Sequence, residues 1–156
     1  MLLKKIAAFA AAALACVSLA GCGSAKDITV DVNALAAELR DGIAYQDELE
    51  SIDSAMISMV YDVGDEVEEA VVYMGSGATA EEIAVFACKD ADAAKNQVTP
   101  VVKQHIEDQI TSFESYVPGE VAKLKDAVVR TVGRYVAVCV SDDSAAAEKI
   151  LDKYMK

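Results

Sequence analysis

Two short segments of the chain are apolar at every position. In Ile83 to Cys88, Ile83, Val85 and Ala87 project to one side of an extended strand, and Ala84, Phe86 and Cys88 to the other. Tyr135 to Val140 repeats the pattern, with Val136, Val138 and Val140 matching the first set and Tyr135, Ala137 and Cys139 the second. Strands apolar on both sides belong in the interior of a sheet covered on both faces.

Around these strands the sequence repeats itself. Glu69-Ala70-Val71-Val72 recurs as Asp126-Ala127-Val128-Val129, and Ile83-Ala84-Val85-Phe86 recurs as Val136-Ala137-Val138-Cys139. An acidic, alanine-rich helix follows each copy, from Asp90 and from Asp143. The first hairpin turns at Gly75-Ser76-Gly77-Ala78-Thr79 and the second, tighter one around Gly133.

Helical spacing marks three further stretches. Asp31 or Asn33 caps a helix whose stripe is Leu35, Ala36 and Leu39, ended by Gly42. Ile52 to Val60 predicts a second short helix with Ala55, Met56 and Met59 turned inward. After Asp90, a stripe of Ala94, Val98, Val102, Ile106, Phe113 and Val117 is interrupted by Pro100. With Thr99 as N-cap, a kink or restart is expected there, and Pro118-Gly119 ends the element.

The pattern predicts an α+β fold. Internally repeated strand-strand-helix halves, about 67–117 and 125–155, form a four-stranded antiparallel sheet, preceded by two short N-terminal helices. Those helices are the expected cover for the second sheet face, with a dimer partner or a ligand as the competing cover.

A different apolar run precedes the domain. Ile6 to Ala20 spans fifteen residues behind Lys4 and Lys5. As a helix it reaches about 22 Å, short of the roughly 30 Å hydrocarbon core. It closes on Leu19-Ala20-Gly21-Cys22, the order of a bacterial lipobox. Residues 1–21 then read as a lipoprotein signal peptide, 22–30 as a lipidated tether and 31–156 as a single domain. A plain secretory signal is the alternative. Two acyl chains on Cys22, at about 0.8 kcal/mol per buried methylene, give lasting attachment to the bilayer. The expected location is the extracytoplasmic face of the cell membrane.

Charge narrows the partners. The chain has 14 Lys and Arg against 26 Asp and Glu, a net charge of −12. Without Lys4 and Lys5 the balance is 12 against 26, or −14. Such a surface repels phosphate backbones, so nucleic acid is not expected as a partner. Of the four cysteines, Cys16 leaves with the signal and Cys22 is acylated. Cys88 and Cys139 remain, either as one disulfide or as two buried thiols.

Candidate chemistry is sparse. Gly75-Ser76-Gly77 is followed by Ala78-Thr79 where phosphate binding of the Walker type needs lysine, so it reads as a hairpin loop. Thr79-Ala80-Glu81-Glu82 has the form of a capping box and predicts a helical turn before the Ile83 strand. His105 is the sole histidine, expected to be exposed on its helix beside Gln104. The pairs Glu68/Glu69 and Glu81/Glu82 flank the first hairpin. Paired acids can perform acid–base work, but neighbours on a strand point to opposite faces, and solvated acidic edges are expected. Asp62, Asp65 and Glu66 lack EF-hand spacing. No catalytic, cofactor-binding or metal-ligating residue is assigned.

Glu69-Ala70-Val71-Val72-Tyr73, the run from Gly75 to Phe86, and the run from Val136 to Asp143 resemble a family of small lipoproteins, common in Gram-positive Firmicutes, that ends in a domain of unknown function. The resemblance covers nearly the whole mature chain. It implies surface anchoring and supplies no activity, ligand or catalytic residue. The expected function is a non-catalytic binding module of the cell envelope, attached to the lipid bilayer through acylated Cys22 and engaging an envelope protein or ligand. The alternatives are a carboxylate- or metal-dependent hydrolase, or a small-ligand carrier using an open sheet face.

Overall fold

The computed structural model describes residues 28–156. The expected signal peptide, the expected lipobox Leu19-Ala20-Gly21-Cys22 and the first part of the expected tether lie outside the described residues. Of the residues expected to form the tether, Val30 is buried and Ile28 packs against the same core.

The α+β class holds, with five antiparallel strands where four were expected. They are β1 (Glu50–Ser51), β2 (Val67–Met74), β3 (Glu82–Cys88), β4 (Val128–Val132) and β5 (Tyr135–Val140), in the spatial order β1-β2-β3-β5-β4. The extra strand is two residues long, pairing Glu50 with Met74 and Ser51 with Tyr73. It is too short for any periodicity to announce it. The helices are α1 (Val32–Gly42), α2 (Ser54–Val60), α3 (Thr99–Tyr116), α4 (Val121–Lys125) and α5 (Ser144–Tyr154).

Every residue of β3 and β5 is buried. Ile83, Val85, Ala87, Ala137 and Cys139 face one core with Leu35 and Leu39 of α1 and Leu151 of α5. Ala84, Phe86, Val136 and Val138 face the other, against Ile57 of α2 and Val98, Val102 and Phe113 of the long helix. Both sheet faces are therefore covered from within the chain. The two N-terminal helices divide this work, one to each face, instead of sharing the second. An open face, as a ligand carrier or dimer would need, is absent from the central strands among the described residues.

The halves are not matching copies. Ile83 pairs with Cys139 and Val85 with Ala137, so Ile83 and Val136, equivalent in the repeat, face opposite cores. Likewise Val71 pairs with Val85, while its counterpart Val128 pairs with Cys139, one residue beyond the counterpart of Val85. A one-residue change of register turns a strand's faces over. Each hairpin does lead into a helix, but the two helices cover opposite faces.

Local chemistry explains most boundaries. Asp31 caps α1 by accepting from the Ala34 amide at 2.9 Å, and Asp53 and Asp143 cap α2 and α5 in the same way. The interruption expected at Pro100 is a change of winding: α3 begins at Thr99 with Pro100 in its first turn, and Thr99 is not its N-cap. A π-helical segment, Ala93–Val98, precedes it and runs into α3, and Thr99 Oγ1 donates to the Ala94 carbonyl at 2.7 Å. The wider turns absorb the donor that proline lacks. In α2 the inward residue is Ile57, and Ala55, Met56 and Met59 face solvent, reversing the expected side.

Cys88 and Cys139 are free, buried thiols. They lie on opposite sheet faces and five positions apart along the paired strands, about 17 Å at strand rise, which rules out a bridge. Burial pushes the Cys88 thiol up to about 11 and raises that of Cys139. Alkylation of the native protein at neutral pH should therefore be slow at both, and should accelerate on unfolding. Because the native thiols keep protons that unfolded ones lose, stability should fall as pH rises from about 9 to 11. Rapid labelling of both cysteines in the folded chain would contradict this.

Candidate functional site

The polar residues that the fold gathers lie at one end of β3, where the loop from Gly75 to Glu81 meets α4 and the segment after α1. Glu81 is the centre. Its side chain is fully buried and its carboxylate accepts the Gln46 and Asp47 amides at 2.9–3.0 Å and the Thr79 hydroxyl at 3.2 Å. The buried Lys123 ammonium of α4 sits 3.1 Å from Glu81, 3.0 Å from Glu120 and 3.5 Å from Asp142. Glu120 in turn accepts the Ala80 amide at 2.8 Å, and Asp142 accepts from the Gln46 side chain at 2.7 Å. Burial acts to lower the Lys123 pKa, but hydrogen bonds to Glu120 and Glu81 outweigh it, and the net shift is upward. Lys123 is thereby held as a cation.

Glu82, the next residue, turns to the opposite face and enters a separate group. One oxygen accepts the Tyr61 hydroxyl and the other lies 2.9 Å from His105 Nε2. The His105 ring packs at 4.5 Å on the Tyr61 ring, which meets Phe86 edge-on at 5.2 Å. His105 is thus part-buried rather than exposed, and Glu81 and Glu82 are interior rather than solvated. The helical turn expected from the capping-box pattern is missing as well. Glu82, the glutamate of that pattern, gives its carboxylate to Tyr61 and His105, and the Thr79 hydroxyl donates to Glu81 instead of capping a turn. The divergence of neighbouring side chains does hold, since Glu81 and Glu82 serve different networks.

Glu68 and Glu69 are exposed as expected. Glu68 pairs with Arg134, and Glu69 accepts from Asn33 at 2.8 Å. Asp62 and Asp65 are exposed around a 3₁₀ turn that includes Glu66. Among the described residues no group of three or more His, Cys, Asp or Glu side chains is arranged to hold a metal ion.

A pocket of about 250 Å³ opens above these residues, between the Gly75–Ala80 loop and the last turns of α3. Met74, Gly77, Ala80, Glu82, Phe113 and Tyr116 are among its lining. Tyr116 at the rim is largely exposed. The loop is tied down by Asp47, whose Oδ2 accepts the Ser76 amide at 2.7 Å and the Ser76 hydroxyl at 2.6 Å; these bonds hold its carboxyl below the usual range. A Cβ on Gly75 would lie 2.7 Å from that oxygen and 3.2 Å from Asp47 Cβ. Gly75→Ala is expected to displace Asp47 and lower stability by about 1 kcal/mol in urea titration. An unchanged midpoint would show that the loop does not depend on that contact.

Lys123, Glu120, Tyr61 and Gln46 were not visible as site residues in the sequence. Lys123 did leave one signal, a lone cation within Val121-Ala122-Lys123-Leu124.

Residues 42–141 match the sequence model of a family described as "Domain of unknown function (DUF4358)". No curated protein and no solved structure matches the chain. Among the described residues no helix is long and apolar enough to cross a membrane.

Proposed function

The chain belongs to the DUF4358 family, and from that premise we propose that it is a non-catalytic binding module held at the extracytoplasmic face of the cell membrane by acylated Cys22, with an envelope protein or ligand as its partner. The observation that carries this reading is the state of the polar cluster. Lys123 is consumed by Glu81, Glu120 and Asp142, and Glu82 by Tyr61 and His105. No buried side-chain nitrogen or oxygen among the described residues lacks a partner. General acid–base and nucleophilic chemistry need a group poised to exchange its proton with a substrate. Groups bound to each other on every side instead pin loops together, which suits a rigid surface for recognition.

The N-terminal end supports the anchoring half. Ile28 packs on the core six residues after Cys22. At about 3.5 Å per residue, that holds the domain within roughly 21 Å of an acylated cysteine.

Cell fractionation of Cys22→Ala tests the anchor, which predicts release from the membrane fraction. Undiminished membrane association would defeat it. For the binding role, crosslinking in intact membranes should recover a reproducible partner. Repeated failure to do so, with wild-type envelope behaviour on deletion, would count heavily against it.

One observation keeps the hydrolase reading in view: Glu81 and Glu82 both border the 250 Å³ pocket. An activity lost in Glu82→Gln, with folding intact, would favour it over the binding module.

A further inference from the structure

The α2 helix, Ser54-Ala55-Met56-Ile57-Ser58-Met59-Val60, has no charged side chain. Only Ile57 is buried; Met56 is 50% and Met59 86% exposed. Methionine is flexible and polarizable, and adapts to varied apolar partners. The surrounding sequence has an equally uneven composition. Residues 41–88 contain twelve carboxylates and not one Lys, Arg or His. Four of these acids, Glu50, Asp53, Asp62 and Asp65, stand exposed on either side of α2 in the chain. The result is an uncharged thioether face whose negative rim is its own chain neighbours, Asp53 among them also capping the helix.

That rim selects the occupant. A second copy would bring the same negative rim against it, and anionic headgroups would be repelled. Lysine and arginine would be attracted, and attraction of this kind steers encounter and fixes register. We propose that the outer face of α2 docks a cationic amphipathic helix of another envelope protein, its apolar stripe resting on Met56 and Met59 and its basic residues reaching the flanking carboxylates. The proposal rests on the binding-module reading and adds to it a surface and a partner chemistry.

The test follows methionine methyl signals of the full chain in phosphatidylcholine nanodiscs. The probe is an amphipathic Leu/Lys peptide of about 18 residues, five helical turns, and a scrambled peptide of equal composition is the control. The Met56 and Met59 signals should shift while those of Met74 and Met155 stay. The scrambled peptide should bind about tenfold more weakly. Met56→Ser with Met59→Ser, both at exposed positions, should weaken the amphipathic peptide by a similar factor.

Shifts confined to Met74, beside the loop pocket, would overturn the proposal. Equal binding of both peptides, or binding indifferent to the serine substitutions, would reduce it to charge adsorption and overturn it too. So would broadening of Met59 by a nitroxide-labelled lipid, which would give the face to the bilayer, or shifts that follow protein concentration, which would give it to a second copy. An intact anchor in the fractionation experiment together with a negative methyl map would fail this proposal alone.

Discussion

Lys123→Ala should lower the unfolding free energy by about 3–5 kcal/mol, the cost of leaving a buried charge without its partner. Glu81 has no exposed side-chain surface, and Lys123 is the only cation beside it among the described residues. The Gln46 and Asp47 amides would remain, but neutral donors do not balance a carboxylate in the interior. Glu120, 3.0 Å from the same ammonium, would be stranded with it. The double variant Lys123→Met with Glu81→Gln removes both charges and should recover a large part of the loss, because a buried pair often contributes little net stability against an apolar replacement. Urea unfolding of the single and double variants gives the answer. A single-variant loss below about 1 kcal/mol would mean that water reaches Glu81 and the cluster is not an interior one.

The pH dependence has a definite sign. The folded pKa of Lys123 is raised, so its contribution is fully present below the ordinary lysine value and disappears as pH climbs through the folded one. The Lys123 cluster should therefore be intact across the neutral range and weaken only on the alkaline side.

Phe86→Ala is expected to cost about 3–5 kcal/mol, the usual loss for a large core aromatic. Phe86 is fully buried on the central strand, in the core formed with α2 and the long helix. Its ring also supports Tyr61 edge-on at 5.2 Å, and Tyr61 donates to Glu82. The substitution would open a cavity beneath a buried polar group, so Phe86→Leu should cost distinctly less than Phe86→Ala. Chemical denaturation compares the two. Equal losses would indicate that the site collapses freely and that the ring does not brace Tyr61.

What could be read in the sequence was whatever local spacing controls. The Asp31 cap and the Leu35, Ala36 and Leu39 stripe of α1 are set within single turns, and the all-apolar β3 and β5 need only their own residues to be recognised as interior. The two carboxylate networks were hidden because their partners are remote: Lys123 lies 42 positions from Glu81, and His105 and Tyr61 lie 23 and 21 from Glu82. No local pattern distinguishes a solvated Glu-Glu pair from one neutralised across the fold. For α2 the difficulty was length. In two turns, Ile57 on one side and Met56 and Met59 on the other make equally good stripes, and only tertiary packing decides between them. The repeat misled for a related reason. Similar words of sequence were placed one residue out of register, which no comparison of the words themselves reveals.

The two margins of the sheet have a consequence for how many molecules it can hold together. Open β-sheets recruit further strands where a long, flat edge leaves backbone groups unpaired. On one side the two-residue β1 covers only the Tyr73–Met74 end of β2, and the rest of that border carries the exposed Glu68 and Glu69. On the other, β4 carries Arg130, whose guanidinium is gripped by Glu148 and Asp152 of α5. Charged side chains on both borders, Glu50, Glu68 and Glu69 on one and Arg130 on the other, disfavour the addition of a neighbour's strand. Crowded molecules of this chain should stay discrete instead of zipping into ribbons.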